Sequence, residues 1–307
     1  MPGTDLQIFK RWGGRSVSLV LGSGGARGYA HIGVINWLEE NGYEIRSIVG
    51  CSMGSVIGGI YALGKLQEYS DWVCGIDKMD VFRLLDFSLG EGGLVKGKKI
   101  MKALKQFMED KNIEDLPIRF TAVASDIDNE KEVWINHGNI YEAIRASMAL
   151  PLFFTPYRHN DVFLLDGGIL NPVPIAPTFQ DETDLTIAVN LTGPPVSEIS
   201  DTDNEEDDGV AGRLMSGIHH FIRTFRTTSS IKGQLGMYDV INRSVDAMQG
   251  TIARQKIAAY PPDILVEIPR NLCGILEFDR AREIIDAGYR AAEEQIGNKN
   301  GQSKANR

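Results

Sequence analysis

The run Ile48-Val49-Gly50-Cys51-Ser52-Met53-Gly54-Ser55-Val56-Ile57 constrains the fold of this chain more than any other stretch. A short β-prone apolar segment meets a serine bracketed by Gly50 and Gly54, and a helix-like sequence follows, which is the pattern of a nucleophile elbow. In such a turn the serine takes a strained backbone conformation and neighbouring backbones approach closely, so the flanking positions tolerate no large side chain. The pattern alone decides little, because a chain with 33 glycines among 307 residues forms Gly-x-Ser-x-Gly by accident. Three other readings compete with it. From Ser47 to Gly64 there is no charge, and Gly50, Gly54 and Gly58 are spaced as in membrane helix-packing motifs, although the run is short for a span and rich in Gly and Ser. A buried helix with small residues for close packing and the phosphate-binding turn of a nucleotide fold are the other two.

The preceding segment bears on the choice. Ser16-Val17-Ser18-Leu19-Val20-Leu21 alternates, is rich in β-formers, and runs directly into Gly22-Ser23-Gly24-Gly25-Ala26-Arg27-Gly28. Ile32, Val34, Ile35 and Leu38 then predict a helix from Tyr29 to Asn41. A glycine turn between strand and helix leaves backbone N–H groups unpaired at a helix N-terminus, where they attract negative charge. In a dinucleotide-binding fold the next strand ends in an acid that holds the ribose hydroxyls. Here the strand Arg46 to Val49 ends in Gly50-Cys51-Ser52, and the glycine spacing departs from G-x-G-x-x-G. We therefore read the loop as an oxyanion hole, with N–H groups near Gly24 and Gly25 aimed at charge developing on a carbonyl oxygen.

These blocks, taken with Asp166-Gly167-Gly168, resemble the ordered signature of the patatin-like phospholipases. The stretch Ala143-Ile144-Arg145-Ala146-Ser147-Met148-Ala149-Leu150-Pro151-Leu152-Phe153-Phe154-Thr155-Pro156 resembles the block that precedes the family's Asp-Gly-Gly. The four blocks run from about residue 16 to 175, more than half of the chain. The resemblance implies a three-layer α/β fold, with a mainly parallel central sheet flanked by helices, and a Ser52-Asp166 dyad that hydrolyses acyl esters of lipids. Ser23 stands where many members have glycine. The order of elements agrees with this, since the serine follows a single βα unit, whereas in an α/β-hydrolase it comes late and a histidine follows the acid. None of His31, His137, His159, His219 and His220 occupies a position that suggests a base.

Composition narrows the partners. A chain with 43% hydrophobic residues buries a large core, and a net charge of −9 opposes general nucleic-acid binding. Cys51, Cys74 and Cys273 share no metal-type spacing and cannot all pair, so a reducing cytoplasm fits. Met1 to Arg15 has no apolar h-region of a signal peptide. The expected partner is a lipid substrate met at a membrane surface, with no transmembrane segment, metal or cofactor, the protein being cytoplasmic or peripheral at the inner membrane face.

Further along, Tyr61 to Pro117 reads as amphipathic helix broken at Ser88 to Gly93, with Lys96, Lys98, Lys99 and Lys102 forming a basic cluster. The cluster is either a solvated face or a contact for anionic head groups. Arg119 to Ser125 and Lys131 to Ile135 predict two strands around a turn. Val162 to Leu165 predicts a strand that presents Asp166 at its C-terminal end, and Asn171-Pro172-Val173-Pro174 predicts the start of another helix. Core strands are expected at Asp184 to Leu191 and Ile264 to Ile268, and a last helix at Phe278 to Ile296. The layout is then a catalytic core over 16–190, an acidic loop over 191–211, a helical C-terminal part over 212–296 on the same domain, and a tail over 297–307. Leu214, Ile218, Phe221, Ile222 and Phe225 at helical spacing face the core, a membrane surface or another copy.

The expected chemistry follows from these parts. Ser52 attacks the carbonyl and Asp166 accepts its proton, while N–H groups of the loop Gly22, Gly24, Gly25, Ala26, Arg27 and Gly28, with Met53, hold the oxyanion. Gly50 and Gly54 shape the elbow, Gly167 and Gly168 let the chain turn behind Asp166, and Arg27 braces the loop. A carboxyl of ordinary pKa near 4 is a poor base at neutral pH, so burial must raise it. The alternative is a catalytically silent lipid- or acyl-binding module on the same fold; an NAD(P)-dependent enzyme lacks the acid on its second strand.

Overall fold

The computed structural model describes residues 14–84, 98–108, 110–151, 154–159, 161–196 and 237–297. Its strands are β1 (Ser16–Leu21), β2 (Glu44–Cys51), β3 (Arg119–Asp126), β4 (Lys131–Ile135), β5 (Tyr157–His159), β6 (Val162–Asp166), β7 (Leu185–Gly193) and β8 (Ile264–Pro269). The α-helices are α1 (Ala30–Glu40), α2 (Met53–Ala62), α3 (Leu66–Val73), α4 (Lys78–Leu84), α5 (Lys98–Lys105), α6 (Ile140–Ser147), α7 (Met237–Ala259) and α8 (Ala281–Ala292). The strands form one sheet in the order β5-β6-β3-β2-β1-β7-β8, with β4 also on β3. From β3 to β8 the pairs are parallel, while β4 and β6 run antiparallel to β3, and β5 antiparallel to β6.

The parallel centre is covered on both faces, which is why its strands are nearly continuous apolar runs. Leu19, Leu21, Ile187 and Val189 belong to the large core with α1 and α2, whereas Val20 and Ala188, on the opposite face, cluster with Val173, Ile175 and Ala253 of α7. Period-2 alternation thus assigns neighbouring residues of one strand to two helical layers. At the edge, β8 reverts to a half-buried pattern, with Ile264, Val266 and Ile268 inside.

Several expected elements take a different form. Among the described residues, the stretch Tyr61 to Pro117 holds three short α-helices, α3 to α5, and a 3₁₀ turn at Ile113–Asp115, and its predicted break lies outside the described residues. The helix expected after Pro174 is only a 3₁₀ turn, Ala176–Gln180; prolines at 172, 174 and 177 remove donors that a longer helix would need. The second strand runs further than expected at both ends, β5 was unforeseen, and the last helix divides into a 3₁₀ turn, α8 and a π-helical end. Residues 46–51 and 53–62 form strand and helix, which removes the membrane-span reading of the elbow. No described helix is long and apolar enough to cross a membrane. The acidic stretch, the 214–225 apolar pattern and His219 and His220 lie outside the described residues, as does the tail from 298.

Candidate active site

Ser52 stands between β2 and α2 with φ 55° and ψ −123°, a conformation that L-residues avoid. Steric closeness on both sides enforces it. A Cβ at Gly54 would lie 2.0 Å from Leu21 O, and one at Gly50 2.4 Å from Gly54 O, so both positions exclude any side chain. The carbonyl of Ser52 accepts from Ser55 N at 2.9 Å and from Ser55 Oγ at 2.7 Å, which starts α2 directly behind the serine.

Pairing on β3 brings the acid to the serine. Gly50 and Cys51 of β2 pair with Ala122 and Val123, and β4 pairs with Ala122 to Asp126 on the opposite edge. On the β2 edge, β6 takes over where β2 stops, with Asp166 opposite Ala124. Two strands of opposite direction therefore end head to head along one edge, and their C-terminal residues meet. Ser52 Oγ donates to Asp166 Oδ2 at 2.6 Å, and Gly168 N donates to Oδ1 at 2.8 Å. Asp166 is fully buried, and that burial raises its pKa from 3.8 to about 6, against the lowering effect of the bonds from Ser52 and Gly168.

A serine not singled out from the sequence holds the elbow. Ser147, at the end of α6, accepts from Ser52 N at 3.0 Å and donates to Val123 O at 2.7 Å. Asn139 caps α6 by accepting from Tyr141 N and Glu142 N, which fixes where the helix starts and hence where Ser147 falls. Two residues beyond Ser147, Ala149 O accepts from Asp166 N at 3.0 Å. The segment therefore grips both ends of the Ser52–Asp166 pair. Behind Asp166, Asn171 N donates to Gly167 O at 2.8 Å and its Nδ2 donates to Glu132 at 2.9 Å, while Lys256 of α7 pairs with the same carboxylate at 2.5 Å. No local spacing could have signalled the contacts of Ser147, Glu132 and Lys256, which join distant segments.

The glycine loop divides its amides. Gly22 N donates to Val189 O, Ser23 N to Pro172 O and Ala26 N to Ile275 O, so these three are occupied. Gly25, at φ 57°, lines the same cleft as Ser52 and Met53, and Met53 N lies in the first turn of α2 without an intrahelical acceptor. The Ala26 amide, grouped with the oxyanion loop from sequence, is therefore engaged elsewhere. Gly28 packs on Met53, and Gly167 and Gly168 turn the chain behind Asp166 against Val123 O and the Ser23 side chain. Arg27, 1% exposed, points away from the cleft: Nε donates to Gly24 O at 3.2 Å, Nη1 to Arg270 O at 2.8 Å and Nη2 to Asp246 at 2.6 Å. It ties the loop to α7 and to the strand end beyond β8.

His31 is wholly buried, and its Nε2 donates to Gly22 O at 2.8 Å; burial lowers its pKa to about 4, so it is neutral and serves the loop's architecture. Cys51 is sealed in the core with its pKa raised by burial. Above Ser52 the cleft is walled by Tyr29, Tyr69, Trp72, Leu104, Met148 and Phe278, an almost wholly apolar lining that suits a hydrocarbon chain. Tyr29 meets Phe278 edge-on at 5.7 Å, and Tyr69 meets Phe107 edge-on at 5.3 Å.

The sequence pattern of the patatin-like phospholipases matches residues 19–179, the part that carries Ser52, Asp166 and the glycine loop. This chain belongs to that family. Among similar proteins, an uncharacterized NTE family protein of Mycobacterium tuberculosis is 36% identical over 91% of each chain. Lysophospholipase nte1 of Emericella nidulans is 26% identical over 94% of this chain and 19% of its own length. Lysophospholipase NTE1 of Pyricularia oryzae is 28% identical over 92% of this chain and 18% of its own, so this patatin-like chain spans about a fifth of those two proteins. The crystal structure of VipD from Legionella pneumophila superposes with a TM-score of 0.47 at 15% identity, covering 93% of this chain and 67% of that one. The family fold, a mainly parallel sheet between helical layers, is the architecture described above, and membership supports a lipid acyl hydrolase in general terms.

Proposed function

We propose that this patatin-like phospholipase hydrolyses fatty-acyl esters of phospholipids and lysophospholipids through a Ser52–Asp166 dyad. The observation that carries the reading is the 2.6 Å bond from Ser52 Oγ to a buried carboxylate at the floor of an apolar cleft. The acyl chain lies in the cleft, and the ester carbonyl faces Ser52. As Oγ attacks, its proton passes to Asp166 Oδ2, which burial has made basic enough to accept it near neutral pH. Gly168 N–H holds the other carboxylate oxygen and keeps Oδ2 aimed at the serine.

The tetrahedral oxyanion is met by the N–H groups of Gly25 and Met53, with Gly24 beside them. Each such donor is worth about 3 kcal/mol of transition-state stabilisation. The dipole of α2, whose N-terminus begins at the nucleophile, adds favourable potential to the same oxygen. Collapse returns the proton from Asp166 to the departing alcohol and leaves an ester on Ser52. Water, deprotonated by the same carboxylate, then releases the fatty acid. The surface at which the lipid is met is a membrane.

Ser52→Ala is expected to fold as the wild type, to lose turnover of phospholipid, lysophospholipid and a chromogenic acyl ester, and to escape labelling by a lipophilic fluorophosphonate. A folded wild type that binds fatty-acyl chains yet neither turns over nor reacts with the probe would replace this reading with that of a silent acyl-binding module.

A further inference from the structure

Helices α4 and α5 wall the cleft with one face and turn the other outward. Val81 and Leu84 of α4, with Ile100, Ala103 and Leu104 of α5, line the cleft. On the outer side of α4, Met79 and Phe82 are 56% and 63% exposed, and their i, i+3 spacing sets them on a common face. Large apolar side chains exposed beside an apolar cleft mark an interaction surface.

The charge of the same helices selects that partner. Helix α5 reads Lys-Lys-Ile-Met-Lys-Ala-Leu-Lys; Met101 and Leu104 are buried, while Lys99, Lys102 and Lys105 are exposed. Lys99 Nζ donates to Arg83 O, which holds the start of α5 against the end of α4, and Lys105 Nζ lies 5.7 Å from the centre of the Tyr141 ring. Together the helices carry Lys78, Arg83, Lys98, Lys99, Lys102 and Lys105 against one acid, Asp80, a net of +5 in a chain whose net charge is −9. That acid pairs with Arg83 at 3.2 Å. Cations flanking exposed apolar side chains match a bilayer interface that carries negative head groups, where each basic residue strengthens partitioning on the order of fivefold.

We infer that the outer face of α4 and α5 is where this protein seats on an anionic phospholipid membrane, with the wall of its cleft against the bilayer. The inference rests on the acyl-hydrolase reading of that cleft, since it treats the membrane as the source of the acyl chain. Met79 and Phe82 enter the interfacial layer, and the lysines contact phosphate groups. The remainder of the protein, strongly acidic by difference, is repelled by the same surface, so charge sets the orientation as well as the affinity.

The test is sedimentation of the full chain with vesicles of phosphatidylcholine alone and of phosphatidylcholine mixed with phosphatidylglycerol. Wild type is expected to partition strongly to the mixed vesicles only, and less as salt rises. The double variant Lys78→Glu/Lys102→Glu is expected to lose at least tenfold in partitioning and in hydrolysis of vesicle lipid, with hydrolysis of a water-soluble short-chain ester unchanged. Met79→Ser is expected to weaken binding while keeping its salt dependence. Equal binding of wild type and the double variant, or binding of wild type to neither vesicle, overturns the inference. So does a self-associated form of the wild type that disperses in the double variant, since that assigns the face to a second copy. Failure of the hydrolase reading looks different: vesicle binding then follows charge as stated while the wild type hydrolyses neither ester.

Discussion

Replacing Asp166 with asparagine is expected to stabilise the protein while abolishing turnover. The carboxyl is fully buried, and its pKa stands at about 6 against 3.8 when exposed. A folded-state value above the unfolded one means that the folded protein holds the proton more tightly. This group's contribution to stability is therefore full below pH 4, declines as pH rises from about 4 to about 6, and is lowest above that. The difference corresponds to about 3 kcal/mol of folding free energy forgone at pH 8. Asparagine keeps both contacts, with Oδ1 accepting from Gly168 N and Nδ2 donating to Ser52 Oγ, but never ionises. Its hydrogen bonds lose their charge assistance, so the net gain falls below that ceiling, at about 1–2 kcal/mol or a few degrees in Tm. Thermal or urea unfolding of Asp166→Asn and wild type from pH 4 to 8 checks this: the gap opens between about pH 4 and about 6, with a midpoint near 5, and closes towards pH 4. A gap that does not vary with pH, or an asparagine variant less stable at pH 8, refutes the reasoning.

Three further outcomes follow from the same contacts. On the proposed mechanism Asp166 acts ionised, so kcat/KM on a soluble ester is expected to fall tenfold per unit below pH of about 6, leaving about a tenth of the activity at pH 5; a half-point near 4 in a pH–rate profile contradicts the effect of burial. Ser147→Ala strips a partner from both Ser52 N and Val123 O and is expected to cost about 1–3 kcal/mol in denaturation, with kcat lowered about tenfold at nearly constant KM. Unchanged kcat removes Ser147 from the support of the elbow. Arg27→Lys leaves one nitrogen where three reach Gly24 O, Arg270 O and Asp246, and is expected to lose about 2–4 kcal/mol and most of the activity; an unaltered Tm refutes the bracing role.

The parts of this protein legible from its residues alone are those fixed by short-range sterics. Gly50 and Gly54 announced the elbow because no side chain fits where Leu21 O and Gly54 O press on them. The alternating run at Ser16 and the glycine loop marked a strand and a tight turn for the same local reason, and His31, inside a helix-forming stretch, is indeed spent on Gly22 O. What lay beyond reach depends on contacts across many residues. That β6 meets β2 head to head on one edge of β3 depends on strand pairing, and this alone sets Ser52 and Asp166, 114 residues apart, at 2.6 Å. Ser147 looked like any helical serine, and the loop amides looked equivalent until Ile275 O claimed that of Ala26. Burial is likewise a property of the whole fold. The Asp-Gly-Gly sequence can name the acid, but only the layers packed around it remove its water and raise its pKa towards neutrality.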